Sequence, residues 1–218
     1  MKNDDYMTFA PASGNLGAGI IQETTTPMSK GRLEAFSDGV IAILITIMVL
    51  ELRVPEGATW QALRPIAPVF LTYVLSFVFL GIYWNNHHHM LQAADRINGK
   101  ILWANLHLLF WLSLVPFVTG WMGRNHSAPV PTAVYGGVLL LAGVSYRILQ
   151  NAIIAHHGAN SKLGAAVGKD AKGKVSPAIY AMAIPLAFIN EWISDALYVA
   201  VALMWLVPDR RIESRLNR

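Results

Sequence analysis

The chain has 218 residues, of which 54% are hydrophobic and 14% are charged, and this balance is typical of a membrane protein that crosses the bilayer several times. It contains no cysteine, which excludes disulfides, thiolate metal sites and catalysis by a cysteine. The net charge of +4 comes from basic residues in loops between apolar runs, where they orient a protein in the bilayer, so nucleic acid is not an expected partner.

The two ends of the chain are predicted to be cytoplasmic tails. Residues 1–28 are rich in Thr, Gly, Ala and Pro and have no basic segment followed by an apolar one, so we expect a flexible tail and not a cleavable signal peptide. Ser29 is a suitable N-cap for the first helix. Residues 29–208 are predicted to form one transmembrane domain, which is followed by a second tail over residues 209–218.

The first predicted span carries a charge where a helix facing lipid would not. Residues 36–54 are sufficient to cross a hydrocarbon core of about 30 Å. Asp38 lies inside this span, and a carboxylate within the membrane is costly unless it faces protein or water. Glu34 lies on the same face and has the same charge, so it cannot neutralise Asp38. We therefore expect the partner of Asp38 to come from another helix.

The same helix carries a stripe of branched apolar side chains. Ile43, Ile47 and Leu50 recur at positions i, i+4 and i+7 and so share one face, with Thr46 at its border. Periodicity alone favours ordinary helix packing or contact with lipid over a functional role for this stripe.

Five further spans are predicted, which makes the fold all-α with six transmembrane helices. With an even number of spans, most of the 17 Lys and Arg residues fall on the side of the two termini, and that side is then cytoplasmic. The last apolar run is too long for one span and is interrupted at residues 190–195, which predicts two short helices in a tight hairpin. The later spans are predicted at residues 66–84, 101–122, 130–146 with an extension to 157, and twice within 175–207.

Polar residues near the cytoplasmic ends of the second and third spans are candidate partners for Ser37 and Asp38. A purely structural role in helix packing is the simpler alternative for such a network. Three consecutive histidines at 87–89 point about 100° apart on a helix, so they are not expected to hold one metal ion. No arrangement of residues indicates an enzyme. The candidate partners are one of His87, His88 and His89, together with Trp84, Asn105 and His107.

The start of the first helix resembles a known family. Residues 32–52 carry the pattern Arg-x-x-x-Phe-Ser-Asp-Gly-Val-x-Ala-Ile, followed by x-x-Thr and Val-Leu-Glu-Leu. This pattern resembles the first helix of transmembrane protein 175, the lysosomal potassium channel family, and in particular its bacterial members. The end of the chain, at residues 208–213, is also similar to the terminus of those bacterial proteins.

The resemblance implies a homotetrameric channel of the bacterial inner membrane, with four copies of the first helix lining a central pore. It implies K+ as the permeant ion with moderate selectivity over Na+, and no cofactor. In the family pattern Ile43, Ile47 and Leu50 match the hydrophobic pore residues, Ile43 matches the narrowest point, and Thr46 matches a pore-facing hydroxyl. The predicted motif network combines residues of the family pattern with the polar residues that topology places near them, and comprises Arg32, Phe36, Ser37, Asp38, Trp84, His87, His88, Asn105 and His107.

A second functional hypothesis stays open at this point. A proton-coupled secondary transporter could use Asp38 and the histidines as a relay. Such transporters usually contain inverted repeats and central helices broken by Gly or Pro. Neither feature is evident in the sequence, which favours the channel.

Overall fold

All regular secondary structure is helical in the part of the chain that the computed structural model describes, which is residues 29–126, 128–158, 161, 163–164 and 171–206. The tails predicted at residues 1–28 and 209–218 lie outside the described residues, as does the segment at 208–213 that resembles the family terminus. The helices are α1 (Lys30–Val49), a 3-10 helix (Trp60–Ile66), α2 (Ala67–Gln92), α3 (Gly99–Ser113), α4 (Val115–Arg124), α5 (Pro129–His157), α6 (Ala171–Leu186) and α7 (Glu191–Leu206).

Two helix starts follow from capping residues. Ser29 precedes α1 in an extended conformation, as predicted for an N-cap, although its side chain makes no capping hydrogen bond. Asn98 caps α3 fully, because its Oδ1 accepts a hydrogen bond from the backbone N–H of Ile101 at 2.9 Å.

The predicted third span is two helices in the structure. α3 and α4 are separated at Leu114, and Pro116 is the second residue of α4. Proline has no backbone N–H, so it cannot donate to the carbonyl four residues earlier, and its ring crowds that carbonyl. The break therefore lies within an otherwise continuous apolar stretch.

The predicted interruption between the last two helices was placed too late in the sequence. The structure has the turn at residues 187–190, and Glu191 is already the first residue of α7. The Oδ1 of Asn190 accepts a hydrogen bond from the N–H of Trp192 at 3.0 Å. Asn190 and Glu191 are thus helix-starting residues, a capping amide and an acid in the first turn, rather than loop residues.

Three described helical segments are long and apolar enough to cross a membrane. They are Trp60–Gln92, Gly99–Arg124 and Pro129–His157. α1 has 20 residues, and α6 and α7 have 16 each. The second of the three segments unites α3 and α4, so the break at Leu114 lies inside one span.

The contacts between helices place α5 at the centre and α1 at one edge of the bundle. α5 contacts α3, α4, α6 and α7, whereas α1 contacts α2, α3 and α4. Gly136 on α5 allows the ring of Tyr198 on α7 to approach, because a side chain there would collide with the Tyr198 hydroxyl. That hydroxyl donates a hydrogen bond to the carbonyl of Thr132 at 3.0 Å.

Candidate pore helix and its polar network

The two faces of α1 have different environments. Ile43, Ile47 and Leu50 are 57%, 44% and 79% exposed on the single chain. The residues buried against the rest of the bundle lie on the opposite face and are Leu33, Ser37, Ile41, Leu44 and Met48. The predicted stripe is therefore largely exposed and lies outside the buried core of the subunit.

Thr46 presents an oxygen on the exposed side of α1. Its hydroxyl lies 2.9 Å from the carbonyl oxygen of Ile43 and 3.1 Å from that of Ala42. Because the only hydroxyl proton is directed to the backbone, the hydroxyl oxygen can act only as an acceptor toward other groups. On the exposed side of α1, the Thr46 hydroxyl oxygen is therefore an acceptor, and an acceptor oxygen can coordinate a cation.

A buried chain of hydrogen bonds joins the first three long helices. The Ser37 hydroxyl on α1 donates to the Leu33 carbonyl at 2.9 Å. Asn105 on α3 donates from Nδ2 to Ser37 Oγ at 2.9 Å, and its Oδ1 lies 2.7 Å from Nε2 of His87 on α2. Ser37, Asn105 and His87 are all buried. Since an amide oxygen only accepts, His87 carries its proton on Nε2.

The neighbouring residue Asp38 has a different partner. Nε1 of Trp84 on α2 donates to Asp38 Oδ1 at 3.1 Å. The Trp84 ring in turn stacks on His88, with ring centroids 6.0 Å apart and an interplanar angle of 22°. The partner of Asp38 thus comes from another helix, and the Phe-Ser-Asp motif divides its contacts between α3 and α2.

Three predicted network residues are placed elsewhere. His107 is exposed and accepts a hydrogen bond from Nε1 of Trp111 on its own helix at 3.1 Å. It lies two positions after Asn105, which on a helix turns it to the opposite side. Arg32 and Phe36 lie on the exposed face of α1, which they share with Ile43 at spacings of eleven and seven residues. They extend the stripe and do not join the hydrogen-bonded chain.

Two interactions were not anticipated from the sequence. A hydroxyl cluster links three helices, because the Thr119 hydroxyl on α4 lies 2.7 Å from Ser76 Oγ on α2 and Ser76 lies 3.0 Å from the Tyr135 hydroxyl on α5. At the far end of α1, Glu51 forms an ion pair with Arg124 on α4. The small residue Gly120 one turn before Arg124 is the signal that could have indicated it, since a Cβ there would lie 2.9 Å from Glu51 Oε2.

Comparison with known proteins decides the family. Residues 32–116 match the family model described as the endosomal/lysosomal potassium channel TMEM175. A potassium channel of Chryseobacterium sp. (strain P1-3) is 54% identical over 190 residues, which are 87% of this chain and 99% of that protein. The chain belongs to the TMEM175 family. The TMEM175 family consists of ion channels, so this protein is an ion channel and not an enzyme.

Other TMEM175 proteins either have a lower sequence identity to this chain or match a shorter part of it. The crystal structure of a lysosomal potassium-selective channel TMEM175 homologue from Chamaesiphon minutus has a TM-score of 0.67 and 28% identity, and covers 82% of this chain and 96% of that one. The human endosomal/lysosomal proton channel TMEM175 is 40% identical over 90 residues, which are 34% of this chain and 18% of that protein. The segment matched by the family model contains the whole stripe and the whole Ser37–Asn105–His87 chain.

Proposed function

We propose that the protein is a potassium channel of the bacterial inner membrane in which four copies of α1 surround a central pore. The observation that carries the proposal is the division of α1 into a packed face and an exposed apolar stripe. The stripe begins at Ile43, about 1.7 turns beyond the buried anchor at Ser37, so the anchor holds its orientation relative to α2 and α3. The potassium channels of Chryseobacterium and Chamaesiphon among the relatives support K+ as the permeant ion.

The stripe of Ile43, Ile47 and Leu50 can select ions without a filter built from backbone carbonyl oxygens. A ring of Ile43 side chains narrows the pathway, and an ion must shed part of its hydration shell to pass it. K+ releases water more readily than Na+, so the barrier is lower for K+. The hydroxyl of Thr46 supplies an oxygen just beyond the constriction, and a hydrophobic ring can close by dewetting. This design gives moderate rather than strict selectivity.

Six membrane-spanning units with both termini in the cytoplasm fit the contacts between helix ends. Lys30 at the start of α1 donates from Nζ to the carbonyl of Gln92 at the end of α2, at 2.9 Å. His156 at the end of α5 lies 3.0 Å from Asn98 before α3. The pair between Glu51 and Arg124 joins the opposite ends of α1 and α4. The first two contacts lie among basic residues, which supports that side as cytoplasmic.

The transporter hypothesis receives less support from the geometry. A proton relay needs a carboxylate and an imidazole in contact, either directly or through one hydrogen-bonded group. In the described part of the chain Asp38 bonds to Trp84 and His87 bonds to Asn105. The two groups that would exchange the proton therefore have separate partners.

Reversal potentials of the purified protein in planar bilayers test the proposal. With K+ on one side and Na+ on the other, a K+-selective channel gives a reversal potential displaced toward the K+ equilibrium value and a unitary current. A pH gradient at symmetrical K+ should leave the reversal potential at zero. A reversal potential that follows the proton gradient, with no unitary current, would support the transporter.

A further inference from the structure

Two adjacent histidines at the end of α5 hold the loop between α2 and α3. His157 Nε2 accepts hydrogen bonds from the backbone N–H groups of Asp95 and Arg96, at 3.0 and 3.1 Å. His156 Nδ1 lies 3.0 Å from Nδ2 of Asn98. These histidines lie outside the pore stripe and outside the motif network, and the proposed permeation pathway does not use them.

The partners fix the protonation state of both rings. Backbone N–H groups and the amide nitrogen of Asn98 can only donate, so His157 Nε2 and His156 Nδ1 must be unprotonated to accept. His157 Nδ1 lies 2.9 Å from the carbonyl oxygen of Ile153, which requires the proton on that nitrogen. His157 is therefore held as the neutral Nδ1–H tautomer. A second proton on Nε2 would place an N–H group against two other N–H groups.

We infer that His156 and His157 form a proton-binding site that releases the α2–α3 loop when the cytoplasm becomes acidic. Histidine is the side chain whose charge ordinarily changes between pH 5 and 8. Protonation of His157 removes both backbone hydrogen bonds at once, and protonation of His156 at Nδ1 removes the bond to Asn98. The two rings are 5.0 Å apart, so the second positive charge is opposed by the first and the response is graded.

The charges around the rings favour release over retention of a protonated ring. Asp95, on the loop itself, carries a negative charge that attracts a charged His157. Two further carboxylates lie on α1, where Glu34 is 3.8 Å from Lys30 Nζ and Asp38 accepts a hydrogen bond from Trp84. The remaining charged side chains on the neighbouring described elements are cationic, and they repel it. These cations are Arg96 on the loop, Lys100 on α3, Lys30 and Arg32 on α1, Arg147 on α5, and Lys172 and Lys174 on α6.

The loop connects directly to the elements that anchor α1. It follows α2, which carries His87, and it ends at Asn98, which caps α3, which carries Asn105. Release of the loop thus loosens the ends of both helices that hold Ser37. This coupling to current depends on the proposed channel function, whereas the proton-binding site itself does not.

Hydrogen–deuterium exchange of the loop amides tests the site without reference to conduction. In the full-length protein in nanodiscs, the protection factor of the peptide covering residues 93–98 should fall at least tenfold when the pH is lowered from about 7.5 to about 5.5, the range in which histidine ordinarily changes its charge. The double variant His156→Asn/His157→Gln keeps two acceptors that do not titrate, so its protection should not depend on pH. His157→Ala should show low protection at every pH. The same change at an exposed histidine on the opposite side, His126→Gln, should keep the wild-type profile.

Bilayer recordings at different cytoplasmic pH test the consequence. The wild-type K+ current should decrease several-fold on acidification of the cytoplasmic side, and His156→Asn/His157→Gln should remove that decrease. Equal hydrogen-exchange protection of residues 93–98 at about pH 7.5 and about pH 5.5 overturns the proton site. Loop release without any change in current overturns the coupling. A wild-type protein that conducts no K+ at any pH overturns the channel proposal and leaves the exchange result to be judged separately.

Discussion

Asn105 on α3 donates a hydrogen bond from Nδ2 to Ser37 Oγ on α1 at 2.9 Å, and both side chains are buried. Through its Oδ1, the same amide also contacts His87 on α2. One side chain thus satisfies polar groups on two other helices. Within an apolar environment such a link is costly to remove, because the partners that remain are left without water or protein to bond.

Asn105→Leu should therefore destabilise the protein by about 1–3 kcal/mol, since it leaves Ser37 and His87 with unpaired buried atoms. The thermal unfolding midpoint in detergent measures the change. Asn85→Leu, at an exposed position on α2, is the matched control and should have little effect. Combined with Ser37→Ala, the loss should be less than additive. Strict additivity of the two changes would mean that Ser37 and Asn105 do not interact.

The first α-helix should form the axis of a tetramer. Light scattering of the detergent-solubilised protein, corrected for bound detergent, should give four times the mass of one chain. Cross-linking of single cysteines introduced at exposed positions of the stripe should join subunits, because the chain has no native cysteine to interfere. A monomer or dimer in which those positions react only with lipid-soluble reagents contradicts the pore model.

Asp38→Ala should impair assembly or gating more than Glu51→Ala. Asp38 lies within the first span and receives the indole N–H of Trp84, whereas Glu51 and Arg124 form an ion pair with both side chains partly exposed. Exposed ion pairs contribute about 0–1 kcal/mol. The yield of tetramer and the open probability are the measurements. Normal expression, assembly and conduction of Asp38→Ala would show that the motif contact is dispensable.

Ile43→Asn should raise the unitary conductance and reduce the preference for K+ over Na+, because an amide hydrogen-bonds water that a branched alkyl ring repels. Ile41→Asn is the matched control, since Ile41 is the same residue on the buried face of the same helix. That variant should lose stability and tetramer yield instead. A folded Ile43→Asn tetramer with unchanged conductance and reversal potential removes Ile43 from the pore.

Thr46→Val removes the outward oxygen while conserving the shape of the side chain. We expect a lower K+ conductance and a smaller difference between K+ and Na+, because the ion loses a ligand beside the constriction. Thr46→Ser retains the oxygen and should behave as the wild-type protein. An effect of Thr46→Ser with no effect of Thr46→Val would indicate that only the methyl group of Thr46 matters. Bi-ionic reversal potentials decide between these outcomes.

Much of the site could be predicted because a helix converts sequence spacing into direction. The spacing of Ile43, Ile47 and Leu50 requires a common face, and the structure places that face away from the subunit. The cost of a carboxylate in the membrane predicted a partner for Asp38 on another helix, which is Trp84. The prediction grouped His107 with Asn105 because both lie near the cytoplasmic end of the predicted third span, although two positions on a helix separate their directions by about 200°.

Other features were not predicted, either because they depend on pairs of distant residues or because a local signal was outweighed by hydropathy or polarity. The contact between Thr119 and Ser76 joins residues 43 positions apart, and no pattern in either helix alone indicates it. The break at Leu114 had a visible cause in Pro116, but hydropathy treats the apolar stretch as continuous. The early start of α7 was missed because Asn190 and Glu191 were interpreted by polarity, and not as a capping amide and an acid in the first turn.

The division of contacts between Ser37 and Asp38 restricts how α1 can move. Adjacent residues point about 100° apart, and here one is tied to α3 and the other to α2. Two such attachments, separated around the circumference of a cylinder, prevent it from turning about its long axis unless at least one of them breaks. A gate that rotates α1 would therefore have to break the hydrogen bond of Ser37, that of Asp38, or both. Changes in side-chain rotamer or in wetting at the stripe leave both hydrogen bonds intact. Closure by the side chains themselves is the motion of lower cost.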